Sequence, residues 1–158
     1  MKNRAIEFDK LAKSKTFLIL GLDNAESKIN LMAYFTLSLQ VFKVPEKLSN
    51  RKIKEWDGFS AKVKSKVITE FPVILIGQLG KNDEYKDKIL GSELMQYCLS
   101  TVLDGQQILG GRIILLECKN TPYLVDKFYP KLGFKKIESD CQPNDELIQF
   151  IKVIGNEK

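Results

Sequence analysis

The chain has 158 residues, of which 44% are hydrophobic and 28% charged, and its formal net charge is +5. This balance is typical of one globular domain with its own core, and no apolar run approaches the roughly 20 residues of a membrane span. The sequence contains no histidine, which excludes Ser-His-Asp hydrolysis, Cys-His proteolysis and metal centres built on histidine. Any proton transfer must use a carboxylate, tyrosine, lysine, cysteine or water.

The amino terminus and the cysteines predict a cytoplasmic protein without a membrane partner. The first ten residues, MKNRAIEFDK, are too polar for a secretory signal. Cys98, Cys118 and Cys141 are odd in number and lack the spacing of metal ligands. Because Cys98 and Cys118 fall in apolar patterns, we predict buried free thiols and no metal site.

The first third of the chain predicts a helix, a hairpin and a basic segment. Residues 5–12 have a helical pattern, and residues 16–22 and 28–44 are β-prone runs separated by a turn. A basic helix is predicted for residues 45–56, with proline in its first turn, followed by an irregular loop. Residues 45–70 are therefore interpreted as a basic insertion.

The positive charge is concentrated in one place. Residues 43–66 contain eight lysines and arginines and three acidic residues, so this stretch carries the whole excess of five charges. Such a segment suits a polyanion such as RNA. A solvated face of a surface helix accounts for the same pattern, and the sequence does not decide between the two.

The middle of the chain predicts a strand, a charged loop and an amphipathic helix, at residues 71–80, 81–89 and 90–103. A strand that feeds a loop opening onto a helix N-terminus favours an anion, because the first N–H groups of the helix have no intrahelical acceptor. Gly77 and Gly80 interrupt the strand and indicate either a bulge or close approach of a ligand.

The last third predicts a strand at 112–118, a helix at 121–132 that ends at Gly133, and two closing strands at 134–137 and 147–154. The whole order indicates an α+β (mixed α/β) fold with a central twisted, mostly antiparallel sheet flanked by helices. We predict that residues 1–158 form a single domain.

Two motifs occur in a fixed order, KDKILG at residues 86–91 and FYPKLGF at residues 128–134. They resemble the hallmark loop, Gln/Arg-x-x-Gly-x-Gly/Ala, and the last-helix signature, Phe-Tyr-x-x-x-Gly-Phe, of the GNAT family of acetyl-CoA-dependent N-acetyltransferases. The resemblance covers roughly residues 17–153. Ile89 stands where the family has its first glycine. Because a β-branched residue is disfavoured at positive φ, the loop must take another conformation or approach phosphates less closely.

The resemblance implies direct transfer of acetyl from acetyl-CoA to a primary amine. It assigns Leu79, Gly80 and Lys81 to the pantetheine arm through their main chain. It assigns the pyrophosphate to the loop residues Lys86, Asp87, Lys88, Ile89, Leu90, Gly91 and Ser92. Tyr129 would protonate the departing thiolate, and the alternative is a tyrosine that only packs.

A general base is less evident. Glu117 lies late on its strand, where it either faces a substrate cleft or is a strand-end charge in water. Without a base, the acceptor amine must have a modest pKa or lose its proton to water. The α-amine of an aminoacyl ester would suit, because the ester lowers its pKa.

The acceptor is suggested by a narrower resemblance. YFTLS at residues 34–38, LIGQL at 75–79 and the basic insertion are similar to GNAT toxins of toxin–antitoxin pairs, which acetylate the amino acid on charged tRNA. This implies RNA contacts by Arg51, Lys52 and Lys54, an antitoxin partner and, as a further assembly, a homodimer. The alternatives are a small-molecule or protein amine acetyltransferase and a non-catalytic CoA-binding or RNA-binding module.

Overall fold

The computed structural model describes residues 2–23, 28–58, 68–143 and 146–155. The helices are α1 (Lys2–Lys10), α2 (Asn50–Asp57), α3 (Gly91–Leu109) and α4 (Tyr129–Lys131). The strands are β1 (Lys15–Asp23), β2 (Lys28–Lys43), β3 (Glu70–Lys81), β4 (Ile113–Lys119), β5 (Lys135–Lys136) and β6 (Leu147–Val153). Among the described residues, no helix combines the length and the apolar character that crossing a bilayer requires.

The described strands form one sheet in the order β1-β2-β3-β4-β6-β5. β1 pairs with β2, β4 with β6 and β5 with β6, all antiparallel. The predicted hairpin of the first two strands is therefore confirmed, although its turn lies outside the described residues. The mixed α/β class with a mostly antiparallel sheet is confirmed as well.

The chain divides into two compact units. The first unit consists of Met1–Leu39 and Ile76–Gly110, and the second of Gln40–Leu75 and Gly111–Lys158. The first unit contains β1, most of β2, the end of β3 and α3. The second contains the end of β2, the start of β3, α2, α4 and the three C-terminal strands. The assignment of residues 1–158 to a single domain stays a prediction.

The first unit has its core along one face of α3. Leu94, Met95, Cys98 and Val102 are buried at helical spacing, as the amphipathic pattern predicts. The helix continues past the amphipathic pattern of residues 90–103 to Leu109. It ends at Gly110, whose φ is 73° and whose N–H donates to the Gln106 carbonyl at 2.8 Å.

The second unit has an aromatic core around Trp56. The Trp56 ring lies 6.0 Å from Phe42 and 6.2 Å from Phe71, both edge-on, and Ile53 of the same helix is also buried. Aromatic pairs in this arrangement add to the free energy of burial. The basic helix therefore presents an apolar face to the core as well as a charged face.

The start of α2 corrects the sequence prediction. The helix begins at Asn50 after the N-cap Ser49, whose Oγ accepts the Lys52 N–H at 3.4 Å. Pro45 lies outside the helix, in a turn where its carbonyl accepts the Leu48 N–H. Proline is common in the first turn of a helix, which led to the predicted start at residue 45. The helix starts later because the Ser49 side chain accepts a hydrogen bond from a free N–H of the first turn. Most of the loop predicted after this helix lies outside the described residues.

The last helix is confirmed in position but not in type. Residues Tyr123–Phe128 form a π-helical segment that continues into α4, and the Tyr129 N–H donates to the Leu124 carbonyl five residues back. A π-helical segment places one residue more in the turn than an α-helix does. Such segments occur frequently at functional sites, and this one immediately precedes Tyr129.

Candidate active site

The loop after β3 begins at Asn82, which neither sequence motif contains. Its backbone N–H donates to the Met32 carbonyl at 2.8 Å and its Nδ2 to the Leu31 carbonyl at 2.9 Å. Its Oδ1 accepts the Glu84 N–H at 3.1 Å and starts the 3₁₀ turn Asp83–Tyr85. Asn82 thus ties the end of β3 to β2 and turns the chain. An asparagine directly after an apolar strand was the available signal, since asparagine favours such turns.

The predicted phosphate loop lies between this turn and α3. Its charged and hydroxyl side chains are exposed, namely those of Lys86, Asp87, Lys88 and Ser92. Ile89 is the exception, because its side chain is only 6% exposed. Among the described non-glycine residues, Ala12 alone has a positive φ, so the backbone at Ile89 is one that a β-branched residue adopts without strain. Ile89 is a buried anchor in an otherwise solvated loop.

The N-terminus of α3 is open to an anion. The N-cap is Leu90, whose own N–H donates to Glu93 Oε2 at 2.6 Å. Leucine has no side-chain oxygen, so within the described chain no side-chain cap reaches the first N–H groups of the helix, including those of Gly91 and Ser92. Those groups and the helix dipole favour a phosphate at this end.

The end of β3 shows why a glycine stands at position 80. Leu79, Gly80 and Lys81 are its last three residues. A Cβ on Gly80 would lie 2.9 Å from Cε1 of Tyr34, so the glycine makes room for a tyrosine of β2. Packing explains the glycine without a ligand, and the assignment of these three residues to pantetheine stays a prediction.

Tyr129 lies in the second unit, in the last helical turn before Gly133. Gly133 has a φ of 80°, its N–H donates to the Pro130 carbonyl at 3.0 Å, and the Phe134 N–H donates to the Tyr129 carbonyl at 3.2 Å. These two bonds around a left-handed glycine form a Schellman motif. The predicted C′ position of Gly133 is confirmed, and the Phe-Tyr-x-x-x-Gly-Phe pattern is a helix stop.

The Tyr129 ring is held in an aromatic cluster. Tyr129 is 7% exposed. Its ring centroid lies 5.1 Å from Phe128, 6.0 Å from Phe134 and 5.5 Å from Phe150. The tyrosine therefore packs, as the alternative interpretation of the sequence proposed. Packing also restricts the ring to one position, which a proton donor requires, and that role stays a prediction.

A groove of about 430 Å³ opens in the second unit beside Glu117. Its apolar lining includes Phe42, Leu75 and Leu115, and its polar lining includes Gln40, Glu117 and Gln149. Glu117 is exposed, and its Oε1 accepts a bond from Gln149 Nε2 at 2.7 Å. The groove combines the Glu117 carboxylate with Lys43, and the carboxylate is a candidate acceptor for the proton of an amine.

A glutamine network supports this groove and was not predicted. Gln142 Nε2 donates to the carbonyls of Ile137 at 2.6 Å and of Gln149 at 3.2 Å. Gln142 Oε1 accepts the Gln149 N–H at 2.8 Å. Gln142 thus fixes the strand residue that bonds to Glu117. No local pattern in the sequence marks these glutamines, because their partners come from other elements.

Two ion pairs join the basic helix α2 to other elements, one through its Lys52 and one through its Glu55. Lys52 Nζ lies 3.2 Å from Glu138 Oε1, and Lys135 Nζ lies 2.7 Å from Glu55 Oε1. The hydrogen bond from Lys135 lowers the pKa of Glu55. Arg51 and Lys54 are exposed. Of the three predicted RNA contacts, Lys52 therefore has a structural partner. The other lysines of the basic stretch, at positions 62, 64 and 66, lie outside the described residues.

The three cysteines are buried free thiols, which confirms the prediction for Cys98 and Cys118. Burial raises the pKa of Cys98 to about 12 and also raises that of Cys118. Cys141 lies with Glu138 and Asp140 in a group whose ligand atoms are within 4.8 Å of one another. Glu138 of this group pairs with Lys52, and the expectation of no metal site stays a prediction.

Solved structures resemble the fold although their sequences are distant. No protein-family profile matches the sequence, and neither does any curated protein. A Tyr-to-Phe mutant of KacT superimposes with a TM-score of 0.66 at 17% identity, covering 95% of this chain and 78% of that one. AtaT complexed with acetyl-methionyl-tRNAfMet gives 0.63 at 16% identity, with 94% and 76% covered.

A third solved structure matches over a similar share of the chain. AtaTR bound with AcCoA superimposes with a TM-score of 0.63 at 16% identity and covers 95% of this chain and 77% of that one. Agreement over nearly the whole chain at such low identity establishes a shared architecture. The protein therefore has the GNAT fold that these toxins have.

Proposed function

We propose that the protein is an N-acetyltransferase that uses acetyl-CoA and acetylates the amino group of an aminoacyl-tRNA in the cytoplasm. The observation that carries this proposal is the likeness, over 94% of the chain, to AtaT solved with acetyl-methionyl-tRNAfMet. The likeness to AtaTR bound with AcCoA supports the cosubstrate. The proposal then assigns a task to each part of the site.

The first unit would hold acetyl-CoA, which supplies an activated thioester. The open N-terminus of α3 fits the pyrophosphate, and the exposed Lys86 and Lys88 add positive charge beside it. The main chain of Leu79, Gly80 and Lys81 would bind the pantetheine arm. The buried Ile89 keeps the loop in place without the family's glycine.

Tyr129 and Glu117 would carry out the proton transfers. As the amine attacks, the new C–N bond forms, the C–S bond breaks, and the thiolate takes a proton from the Tyr129 hydroxyl. The amine docks in the groove against Glu117, which accepts the amine's proton directly or through water. An aminoacyl ester suits this weakly basic site, because its amine has a low pKa.

The partners follow from charge and from the neighbours. The exposed Arg51 and Lys54, with Lys52, would bind tRNA phosphates through α2. AtaT has been solved with the C-terminus of the antitoxin AtaR, and KacTA with DNA. We therefore propose an antitoxin partner for this chain, and a homodimer as its assembly.

A second candidate is acetylation of a small amine. The groove of about 430 Å³ favours it, because its volume lies within the range of small-molecule sites, roughly 300–1,000 Å³. This candidate requires the same acetyl-CoA site and the same proton transfers, but no RNA.

The first experiment is calorimetric titration of acetyl-CoA into the protein, followed by transfer of labelled acetyl to acceptors. We expect one acetyl-CoA site per chain and labelling of aminoacyl-tRNA. The same tRNA with its amino group formylated is the matched control and should stay unlabelled. Labelling of small amines alone would favour the second candidate. Absence of acetyl-CoA binding would contradict both.

A further inference from the structure

The side chain of Lys81 folds back over the loop that follows it. Lys81 is the last residue of β3. Its Nζ donates to the Lys86 carbonyl at 2.7 Å and to the Ile89 carbonyl at 3.1 Å. One ammonium group therefore holds both ends of the four-residue stretch from Lys86 to Ile89.

These contacts decide which way the loop peptides face. In a planar trans peptide, the carbonyl and the following N–H point in opposite directions. With the Lys86 and Ile89 carbonyls turned toward the ammonium, the N–H groups of Asp87 and Leu90 turn away from it. The Leu90 N–H donates to Glu93 Oε2, so the N–H that this arrangement offers to an anion is that of Asp87. A backbone that binds an anion needs its N–H groups on one side and its carbonyls withdrawn.

The loop has other contacts besides those of Lys81. The Lys88 N–H donates to the Tyr85 carbonyl at 2.9 Å, and the Leu90 N–H donates to Glu93 Oε2 at 2.6 Å. Ile89 is held from two directions, by burial of its side chain and by the bond from Lys81 to its carbonyl. Both contacts converge on the residue that replaces a glycine of the GNAT motif.

We propose that Lys81 is a positioning residue, which holds the loop of residues 86–90 in the conformation that receives the pyrophosphate of acetyl-CoA. This inference rests on the proposed function for its ligand. Lys81 acts through the carbonyls that it binds, and the phosphates are held by the loop. In this proposal the Lys81 side chain fixes the loop conformation, which in the GNAT motif depends on the flexible backbone of a glycine.

The test compares Lys81→Met, which keeps the length of the stem but loses the donor, with Lys81→Arg, which keeps donors for two carbonyls. Lys28→Met is the matched control, because it removes an exposed lysine from β2 in the same unit. Calorimetry measures acetyl-CoA affinity, and amide hydrogen exchange of residues 86–90 is followed without ligand. Thermal unfolding checks that each variant folds.

For Lys81→Met we expect about five- to tenfold weaker acetyl-CoA binding and faster exchange in the loop, since two bonds from a charged donor are lost. Lys81→Arg should restore most of both, and Lys28→Met should change neither. In turnover, Lys81→Met should raise KM for acetyl-CoA and leave kcat within about twofold.

Unchanged loop exchange in Lys81→Met would overturn the inference. If acetyl-CoA binding by that variant were also weaker and less dependent on salt, Lys81 would contact the phosphate directly instead of positioning the loop. If the wild-type protein does not bind acetyl-CoA, the proposed function fails, and with it the cofactor role of Lys81. Loss confined to the variant leaves the proposed function intact.

Discussion

In the turn at residues 129–134, two backbone bonds and a glycine at φ 80° close the helix that carries Tyr129. In the loop at residues 86–90, a lysine side chain and a buried isoleucine hold a backbone that contains no glycine. The two regions carry the two GNAT-like motifs of the chain. One matches the family pattern, and the other departs from it at Ile89.

The difference shows that a motif position can be replaced when its physical task moves to another group. A left-handed glycine specifies a helix stop through neighbours within six residues. The loop before α3 obtains its order from a side chain on β3 and from a core contact, both of which depend on the rest of the first unit. We therefore expect substitutions to act on stability in one region and on ligand affinity in the other.

The largest effect should come from removing the isoleucine anchor. Ile89→Ala deletes a side chain that is 6% exposed, and we expect a loss of about 3 kcal/mol in the free energy of unfolding, because the cavity is only partly refilled. Chemical denaturation measures it. The neighbouring Leu90→Ala is the control, since Leu90 is 62% exposed and should change stability little. Equal losses for both variants would contradict the anchor role.

Next is the proton donor. Tyr129→Phe keeps the ring in its aromatic cluster and removes the hydroxyl, so we expect acetyl transfer to fall about 100-fold, the scale of general-acid catalysis. Calorimetry should show acetyl-CoA affinity within about twofold of the wild type, because no proposed cofactor contact is removed. Tyr123→Phe, at a 63% exposed tyrosine, should keep the full rate. An unchanged rate in Tyr129→Phe would reduce the tyrosine to a packing role.

The helix stop should follow. Gly133→Ala places a Cβ at a φ of 80° and 2.9 Å from Lys152 Nζ, so we expect a loss of about 1–2 kcal/mol in the free energy of unfolding. Gly105→Ala is the control. Gly105 lies within α3. Apart from its own helix backbone and chain neighbours, no heavy atom of the described residues lies within 4 Å of its Cβ position. That variant should gain about 0.5–1 kcal/mol, and losses of equal size would exclude backbone strain as the cause.

The smallest effect on stability should come from Lys152, which contacts the turn at residues 129–134. Lys152 Nζ donates to the Leu132 carbonyl at 2.8 Å and lies 5.9 Å from the centre of the Phe134 ring. Since backbone bonds already close this turn, Lys152→Met should cost about 1 kcal/mol in the free energy of unfolding. Acetyl-CoA affinity should stay unchanged, in contrast to Lys81→Met. A large loss of affinity in Lys152→Met would erase the distinction between the two regions.

Local patterns in the sequence predicted the elements that local forces determine. The β1–β2 hairpin, the buried face of α3 and the stop at Gly133 all follow from alternation, helical spacing and glycine conformation over a few residues. The start of α2 was predicted wrongly, because Pro45 and Ser49 both carry N-terminal signals and the serine forms the hydrogen bond. The role of Ile89 was only half predicted, since its departure from the motif is visible but its burial is not.

The amino-acid sequence by itself determined the fold class, the two motifs and the absence of histidine chemistry, because composition and short-range spacing are sufficient for these. Tertiary structure decided the contacts of Lys81 with the loop carbonyls, the room that Gly80 leaves for Tyr34, and the glutamine network beside Glu117. Each of these joins groups from different elements or across a turn. A long side chain can reach many possible partners, and which one it contacts depends on where the folded backbone places them.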